Sequence, residues 1–138
     1  LWRLERKLGG ILIEAASQGD QSYAVIGVGL NVRKPSANDL RTPAAGLNEF
    51  WEGATAPAAL ERIIGPLMST LLKFESEGFA PFQSRFHARD VLLGRPISTS
   101  EGAQGLCEGV DHLGALQIAT DQGRVKINSS EVSVRPLS

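Results

Sequence analysis

Lys7 and Asn31 are polar residues at the outer ends of two apolar segments near the start of the chain. A lysine ammonium can offset negative charge as it develops during a reaction, and an asparagine carboxamide can donate and accept hydrogen bonds. If the two segments pair as a hairpin, the first residue of one and the last residue of the other lie at the same edge. A lysine at a strand end also commonly extends into solvent, and the residues alone favour that simpler interpretation.

The two segments that must position these side chains, residues 6–14 and 24–32, are predicted to be adjacent and mostly buried strands. Both are rich in Ile, Leu and Val, and the polar turn Gln18-Gly19-Asp20-Gln21 lies between them. Glycines weaken the strands that they interrupt. Their presence indicates either bulges and tight sheet packing or a backbone that a ligand approaches closely, and strand physics leaves both open. The four glycines concerned are Gly9, Gly10, Gly27 and Gly29.

The residues of these strands resemble a known family. The run Arg6-Lys7-Leu8-Gly9-Gly10-Ile11-Leu12-Ile13-Glu14, followed by Gly27-Val28-Gly29-Leu30-Asn31-Val32, is similar to the second half of the catalytic domain of bacterial biotin protein ligases. The similarity extends along most of the 138 residues. It implies an α+β fold in two domains. Residues 1–92 would be part of a class II synthetase-like catalytic domain, with a mixed or antiparallel sheet and packed helices, and residues 93–138 would form a small SH3-like β-barrel.

The resemblance also implies an activity. Ligases of this family use ATP to activate biotin as biotinyl-5'-AMP and then transfer biotin to a lysine of a biotin carboxyl carrier protein, with Mg²⁺ accompanying the ATP. Lys7 matches the family lysine that contacts the biotin carboxyl group and the phosphate. The floor under biotin would be formed by Gly10, Ile11, Gly27, Val28 and Gly29. Asn31 would contact the nucleotide, and further candidates for contacts to ATP or the acceptor are Lys126, Glu131 and Arg135, whose default interpretation is surface solvation.

The middle of the chain predicts a loop followed by two helices. Residues 33–47 contain two prolines and no apolar period, which indicates either a solvated connector or a lid. A helix is predicted from the Thr55 cap to Gly78, with a kink or split at Gly65-Pro66. Trp51 is expected to pack against it, and a shorter helix is predicted over residues 80–90. The apolar stripe of the long helix, interpreted as core packing, consists of Leu60, Ile63, Ile64, Leu67, Leu71 and Phe74.

Short β-like segments separated by turns follow from residue 94 and predict a small barrel that protects its own edges. The expected strands cover residues 96–98, 105–110, 115–119, 124–127 and 131–134. Their alternation predicts Val125, Ile127, Val132 and Val134 inside, with Lys126, Ser133 and Arg135 outside.

Composition argues against several classes of function. The formal net charge is −1 and the estimated pI is near 6.1, so no basic surface for nucleic acid is expected. Cys107 is the only cysteine, which precludes an intrachain disulfide and fits a cytoplasmic location. No apolar run approaches the ~20 residues of a membrane helix. His87 and His112 lack metal-ligating neighbours, and the third glycine of a dinucleotide fingerprint is absent after Gly29.

The chain begins without an initiator methionine or a helix cap, and we expect it to be a fragment or a truncated product. An alternative from another functional class is a non-catalytic remnant that serves as a dimerisation or carrier-docking module. In that case an open sheet edge would pair with a second copy of the chain.

Overall fold

The computed structural model of the protein describes residues 1–36, 42–128 and 134–136. The chain divides into two compact units, Leu1–Pro66 and Leu67–Ser138. The expected domain boundary between residues 92 and 93 differs from this division and stays a prediction. The elements are β1 (Trp2–Arg3), β2 (Arg6–Lys7), β3 (Gly9–Gln18), β4 (Gln21–Leu30), α1 (Ala56–Glu77), α2 (Gln83–His87), β5 (Pro96–Thr99), β6 (Gln104–Val110), β7 (Leu116–Thr120), β8 (Gly123–Ile127) and β9 (Val134–Pro136), with 3₁₀ turns at Leu47–Glu49 and Ala80–Phe82.

Two antiparallel hairpins form the start of the first unit. β1 pairs with β2 across a tight turn in which Leu4 and Glu5 both have positive φ, +48° and +59°. β3 pairs with β4 along their whole length, from Gly9 opposite Leu30 to Gln18 opposite Gln21. The connecting turn has Gly19 at its first central position with φ +60°, the sign that a type II′ turn requires there. The predicted strand pair is confirmed: it extends further towards the turn than predicted, and at the other end β3 begins at Gly9 and β4 ends at Leu30.

The β3–β4 hairpin is largely exposed, contrary to the expectation of buried strands. Residues directly opposite each other in an antiparallel pair share a face, so Leu12 and Val25 lie on one face and Ile11 and Ile13 on the other. Leu12 is 64% exposed and Val25 59% exposed. A two-stranded hairpin by itself is marginally stable in water, because it buries little apolar surface. The described residues thus leave the apolar side chains of this hairpin uncovered.

The segment of residues 43–48, which we call the strap, forms the buried part of the first unit. Ala44, Ala45, Gly46 and Leu47 are all buried. Ala44 forms a parallel bridge with Lys7. The interpretation of this part of the loop as a solvated connector is therefore wrong, since it is integrated into the sheet end, and the alternative of a lid stays a prediction. Residues 37–41 of the same loop lie outside the described residues.

Helix α1 begins and ends where its capping residues predict. The Thr55 hydroxyl accepts a hydrogen bond from the Ala58 amide at 3.3 Å, and Gly78, with φ +70°, donates its amide to the Phe74 carbonyl at 2.8 Å. One helix runs through Pro66, so the predicted split does not occur, and the alternative of a kink there stays a prediction. Arg62 stacks on the Trp51 ring at 4.2 Å, which confirms that Trp51 packs against the helix.

The apolar stripe of α1 is only partly buried, so its interpretation as core packing is wrong for half of its members. Ala59 is buried. The residues that follow it at intervals of four on the same side of the helix are half-buried: Ile63, Leu67 and Leu71. The adjacent row is exposed: Leu60, Ile64, Met68 and Leu72. A period of 3.6 predicts which residues share a face, but it does not tell what packs on that face.

The second unit is a five-stranded antiparallel sheet with the order β8-β7-β6-β5-β9. Four predicted strands are confirmed, and the fifth is described only from Val134, since residues 129–133 lie outside the described part. Ile97, Cys107 and Ile118 form the buried core, against which Ile127 and Val134 pack. Val125 is exposed, which corrects its predicted inward position, and Val132 and Ser133 are not among the described residues.

The two outer strands of this sheet, β8 and β9, do not pair with each other in the described residues. The SH3-like barrel therefore stays a prediction, while the mixed helix and sheet content is confirmed. Short aromatic helices lie before the sheet, where Phe79 meets Phe86 edge to face with ring centroids 5.9 Å apart. In the described residues, no helix is long and apolar enough to span a membrane.

Candidate functional site

A cavity of about 360 Å³ lies at the end of the β3–β4 hairpin in the first unit. Lys7, at the end of β2, and Asn31, directly after β4, both line it, as the spacing of the two segments predicts. The cavity thus brings together one cation, one carboxamide and an exposed glycine backbone. The complete lining consists of Lys7, Gly9, Gly10, Gly29, Leu30, Asn31, Pro35, Thr42 and Ala44.

Asn31 is held firmly at this edge. Its Nδ2 donates to the carbonyl of Lys7 at 3.2 Å and to the carbonyl of Ala45 at 3.1 Å. Its backbone amide donates to the Leu8 carbonyl at 2.9 Å. Because Nδ2 is used within the chain, Oδ1 is the atom of this side chain that could accept a hydrogen bond from a ligand. Asn31 is therefore suited to accept from an amino or hydroxyl group, and less suited to donate to a phosphate.

The four glycines of the hairpin differ in whether packing within the chain requires a glycine. A Cβ at Gly9 would lie 2.1 Å from the Gly29 carbonyl oxygen, so Gly9 is required by packing within the chain. A Cβ at Gly10 would meet nothing within 4 Å, and at Gly27 or Gly29 the nearest atoms are ordinary contacts at 3.8 and 3.9 Å. Tight packing therefore explains Gly9, and the described residues give no steric reason for the other three glycines.

These three glycines form one continuous floor. Gly10 lies opposite Gly29 and Leu12 lies opposite Gly27, so all four residues share a face of the hairpin. A depression of about 440 Å³, lined by Gly10, Ile11, Leu12, Gly27, Val28 and Gly29, adjoins the first cavity through Gly10 and Gly29. The absence of side chains at three positions of one face leaves room for a flat group to lie directly on the backbone.

Ile11 and Val28 occupy the opposite face of the hairpin. They pair directly with each other, one residue out of phase with the three glycines. Their side chains are therefore directed away from the glycine floor, and they would contribute to that floor through their backbone alone. Gly10, Gly27 and Gly29 are the members of the predicted biotin-binding set whose geometry suits a flat ligand.

An ion pair beside the cavity fixes the strap. Arg6 Nη1 lies 2.6 Å from Glu49 Oε2, and the other oxygen of Glu49 accepts the Gly46 amide at 2.7 Å. The Arg6 hydrogen bond, followed by that of the Gly46 amide, lowers the pKa of Glu49 below its ordinary value. The side chains of Arg6 and Glu49 are each 29% exposed, so solvent screens their attraction. The ion pair therefore contributes mainly by orienting the two side chains.

The nucleotide candidates of the second unit have different surroundings. Arg135 lies exposed on β9, opposite Ser98 of β5. Lys126 forms an ion pair with Asp111 at 2.6 Å, which makes it a structural residue of its own sheet. The hydrogen bond from Lys126, followed by that of the Ala115 amide, lowers the pKa of Asp111 to about 2. Glu131 lies outside the described residues.

His87 has a structural position. Its Nε2 lies 3.0 Å from the Val110 amide and 2.9 Å from the Val110 carbonyl, so its tautomer decides which of the two it bonds. The Gln83 amide also donates to the Val110 carbonyl, at 2.8 Å. This arrangement joins α2 to β6. No group of three His, Cys, Asp or Glu side chains could hold a metal ion within the described ranges.

Sequence reasoning missed the strap side of the cavity. Pro35, Thr42 and Ala44 line it, and the loop that contains them has no apolar period to indicate burial. Glu49 was also missed. The pattern that could indicate Glu49 is a capping box, in which a glutamate follows the N-cap residue by three positions. Gly46 is the N-cap here, and it lacks the side-chain oxygen that makes this pattern recognisable.

Comparison with known sequences gives consistent relatives. Residues 93–135 match the family model of the biotin protein ligase C terminal domain. The chain is 30% identical over 141 residues to the bifunctional ligase/repressor BirA of Escherichia coli strain K12, a match that covers 98% of this chain and 44% of that protein. It is also 30% identical over 135 residues to the biotin–[acetyl-CoA-carboxylase] ligase of Paracoccus denitrificans, with 91% and 56% covered. The chain spans about half the length of these relatives.

Comparison with solved structures shows the same fold. The biotin protein ligase from Aquifex aeolicus, solved in complex with biotin and ATP, matches with a TM-score of 0.83 and 24% identity. The match covers 99% of this chain and 59% of that one. The apo structure of the same ligase matches with a TM-score of 0.83 and 22% identity, over 99% of this chain and 62% of that one.

Proposed function

Because this chain belongs to the biotin protein ligase family, we propose that it contributes the end of an active site in which ATP activates biotin as biotinyl-5'-AMP. The observation that carries the proposal is that Lys7, Asn31 and the open glycine floor line adjoining cavities at one end of one hairpin. The activated biotin would then pass to a lysine of a biotin carboxyl carrier protein.

Lys7 would supply the charge that the first step requires. A carboxylate oxygen of biotin attacks the α-phosphorus of ATP, a new P–O bond forms, and the bond to pyrophosphate breaks. Negative charge accumulates on the α-phosphate oxygens during this step, and a fixed ammonium offsets it. The side chain of Lys7 is exposed and borders the cavity, while its backbone is fixed by hydrogen bonds to Pro43 and Ala45 at 2.8 and 2.9 Å.

The second step transfers biotin to the carrier protein. The neutral amine of the acceptor lysine attacks the carbonyl carbon of biotinyl-5'-AMP, the C–O bond to phosphate breaks, and AMP leaves. The attacking amine gives up one proton to solvent as the amide forms. The glycine floor would hold the flat biotin rings during both steps, and Asn31 Oδ1 would accept a hydrogen bond from the nucleotide.

Mg²⁺ would accompany ATP in this reaction. The described residues contain no group of three His, Cys, Asp or Glu side chains that could hold a metal, and phosphate oxygens are common ligands of Mg²⁺. Arg135 remains a candidate for a nucleotide contact. An SH3-like barrel in residues 93–138 and a cytoplasmic location complete the proposal.

Labelled biotin and ATP test this function directly. We expect the chain at high concentration to retain labelled biotinyl-5'-AMP after rapid desalting, and Lys7→Ala to abolish the signal. Lys73→Ala, which removes an exposed lysine that pairs with Glu77 at 3.8 Å, is the matched control and should retain the adenylate. Absence of adenylate in the wild-type chain, with biotin and ATP binding also undetectable, would contradict the proposal.

A specific observation favours the second candidate, a dimerisation or docking module. β3 and β4 pair only with each other in the described residues, so each ten-residue strand keeps one open edge. Apolar side chains are exposed on both faces of the same hairpin. Open, apolar strands readily pair with another chain. Sedimentation of the chain over a range of concentrations, alone and with a carrier protein, distinguishes a self-associating module from a monomeric ligase segment.

A further inference from the structure

The strap uses each of its consecutive amides for a different partner. Ala45 donates to the Lys7 carbonyl at 2.9 Å, Leu47 donates to the Asn31 carbonyl at 2.8 Å, and Asn48 donates to the Val32 carbonyl at 3.0 Å. The amide between them, that of Gly46, donates to the carboxylate of Glu49 at 2.7 Å. Three of the four amides therefore bond to backbone carbonyls at the end of the sheet, and the fourth bonds to a side chain.

The space around Gly46 makes this dependence strict. Gly46 is buried, and a Cβ on it would lie 2.3 Å from the Lys34 amide nitrogen. The backbone of Gly46 is thus packed tightly against the chain at Lys34, and an amide in such a place that loses its acceptor is unfavourable. The same carboxylate holds Arg6, whose neighbour in β2 is Lys7.

We propose that Glu49 is a positioning residue for the candidate site: by holding Arg6 and the Gly46 amide at once, it keeps the strap against Lys7 and Asn31. This inference rests on the proposed function for its effect on ligand binding. Glu49 does not line the cavity, so it acts through the backbone that carries the lysine and the asparagine. A loosened strap would release two of the hydrogen bonds that orient Asn31, those to Ala45 and from Leu47.

Two variants separate the two contacts of Glu49. Glu49→Gln keeps an oxygen for the Gly46 amide and loses the ion pair, whereas Glu49→Ala loses both. We expect ATP affinity to fall about threefold in the first and about tenfold or more in the second, because small displacements of binding groups have large effects. Arg6→Gln should match Glu49→Gln, and the double variant should lose no more than either alone. Glu52→Gln, an exposed glutamate just beyond the same turn, is the matched control.

Two readouts keep this inference distinct from the proposed function. Amide hydrogen exchange at Ala45, Leu47 and Asn48 requires no ligand, and we expect it to accelerate in Glu49→Ala and to stay unchanged in Glu52→Gln. Titration calorimetry with ATP, at a temperature where every variant is folded, gives the affinities. Unchanged strap exchange in Glu49→Ala overturns the positioning role whether or not ATP binds. Faster exchange with unchanged ATP affinity also overturns it, whereas failure of the wild type to bind ATP or biotin overturns the proposed function and, with it, the effect on binding.

Discussion

Alanine substitutions at Gly9 and Gly10 should have opposite consequences although the residues are neighbours. Gly10 is exposed, its Cβ would meet nothing within 4 Å, and its φ lies outside the range that favours glycine. Gly9 is buried, and its Cβ would lie 2.1 Å from a carbonyl oxygen of β4. The pair thus compares a glycine that the hairpin requires with a glycine that only a ligand would require.

The magnitudes follow from these contacts. Gly10→Ala restricts the unfolded chain without a clash, which should stabilise the first unit by roughly 0.4–1 kcal/mol. Its methyl group would occupy the floor shared by both cavities, and overpacking of that kind costs about 1–3 kcal/mol, equivalent to roughly 5- to 150-fold weaker binding of biotin. Gly9→Ala should destabilise the unit by about 1–3 kcal/mol or more, because the strands must separate to admit it.

Tryptophan fluorescence suits the stability measurement, because Trp2 and Trp51 both lie in the first unit. Thermal unfolding of each variant should be followed by tryptophan emission, and biotin binding should be measured by calorimetry below the lowest unfolding temperature. If Gly10→Ala binds biotin as the wild type does, the open face does not receive biotin. If it instead unfolds as easily as Gly9→Ala, the glycine is structural and the argument from open space is refuted.

Two further predictions concern the second unit. The pKa of Asp111 is about 2 when folded, below its ordinary value of 3.8, so the stabilisation from its ionised form is present above about pH 4 and is lost as the pH falls towards 2. Asp111→Asn should therefore lower the unfolding temperature at about pH 6 and lose this effect at about pH 2, which calorimetry at both pH values checks. His87→Ala should destabilise the unit by about 1–3 kcal/mol, because the Val110 backbone loses its hydrogen-bond partner on α2 in either tautomer. His112→Ala, at an exposed turn, should change the denaturant midpoint little.

The elements that could be predicted from the sequence are those with local signals. Thr55 and Gly78 define the ends of α1 through backbone preferences that act within one turn. Alternation and turn residues likewise locate β5, β6, β7 and β8 to within a few residues. The meeting of Lys7 with Asn31 follows from antiparallel pairing, which requires only that the hairpin be recognised.

The features that could not be predicted depend on partners distant in sequence. Nothing local in Ala44 or Ala45 shows that they are buried beneath the ends of β2 and β4. The stripe of α1 identifies a face, yet half of its residues are exposed because the described chain provides nothing to cover them. The different roles of Gly9 and Gly10 depend on which carbonyl lies across the hairpin from each residue, and that position is a property of the folded chain.

The hydrogen bonding of residues 45–48 has a consequence for how this region opens. Since three of these four amides bond to carbonyls of Lys7, Asn31 and Val32, a shift of the strap by one residue would mismatch these three bonds together. Intermediate registers are therefore unfavourable, and the segment should be either fully seated or fully detached. Ligand that requires the seated form would then select between two discrete states, with an all-or-none response.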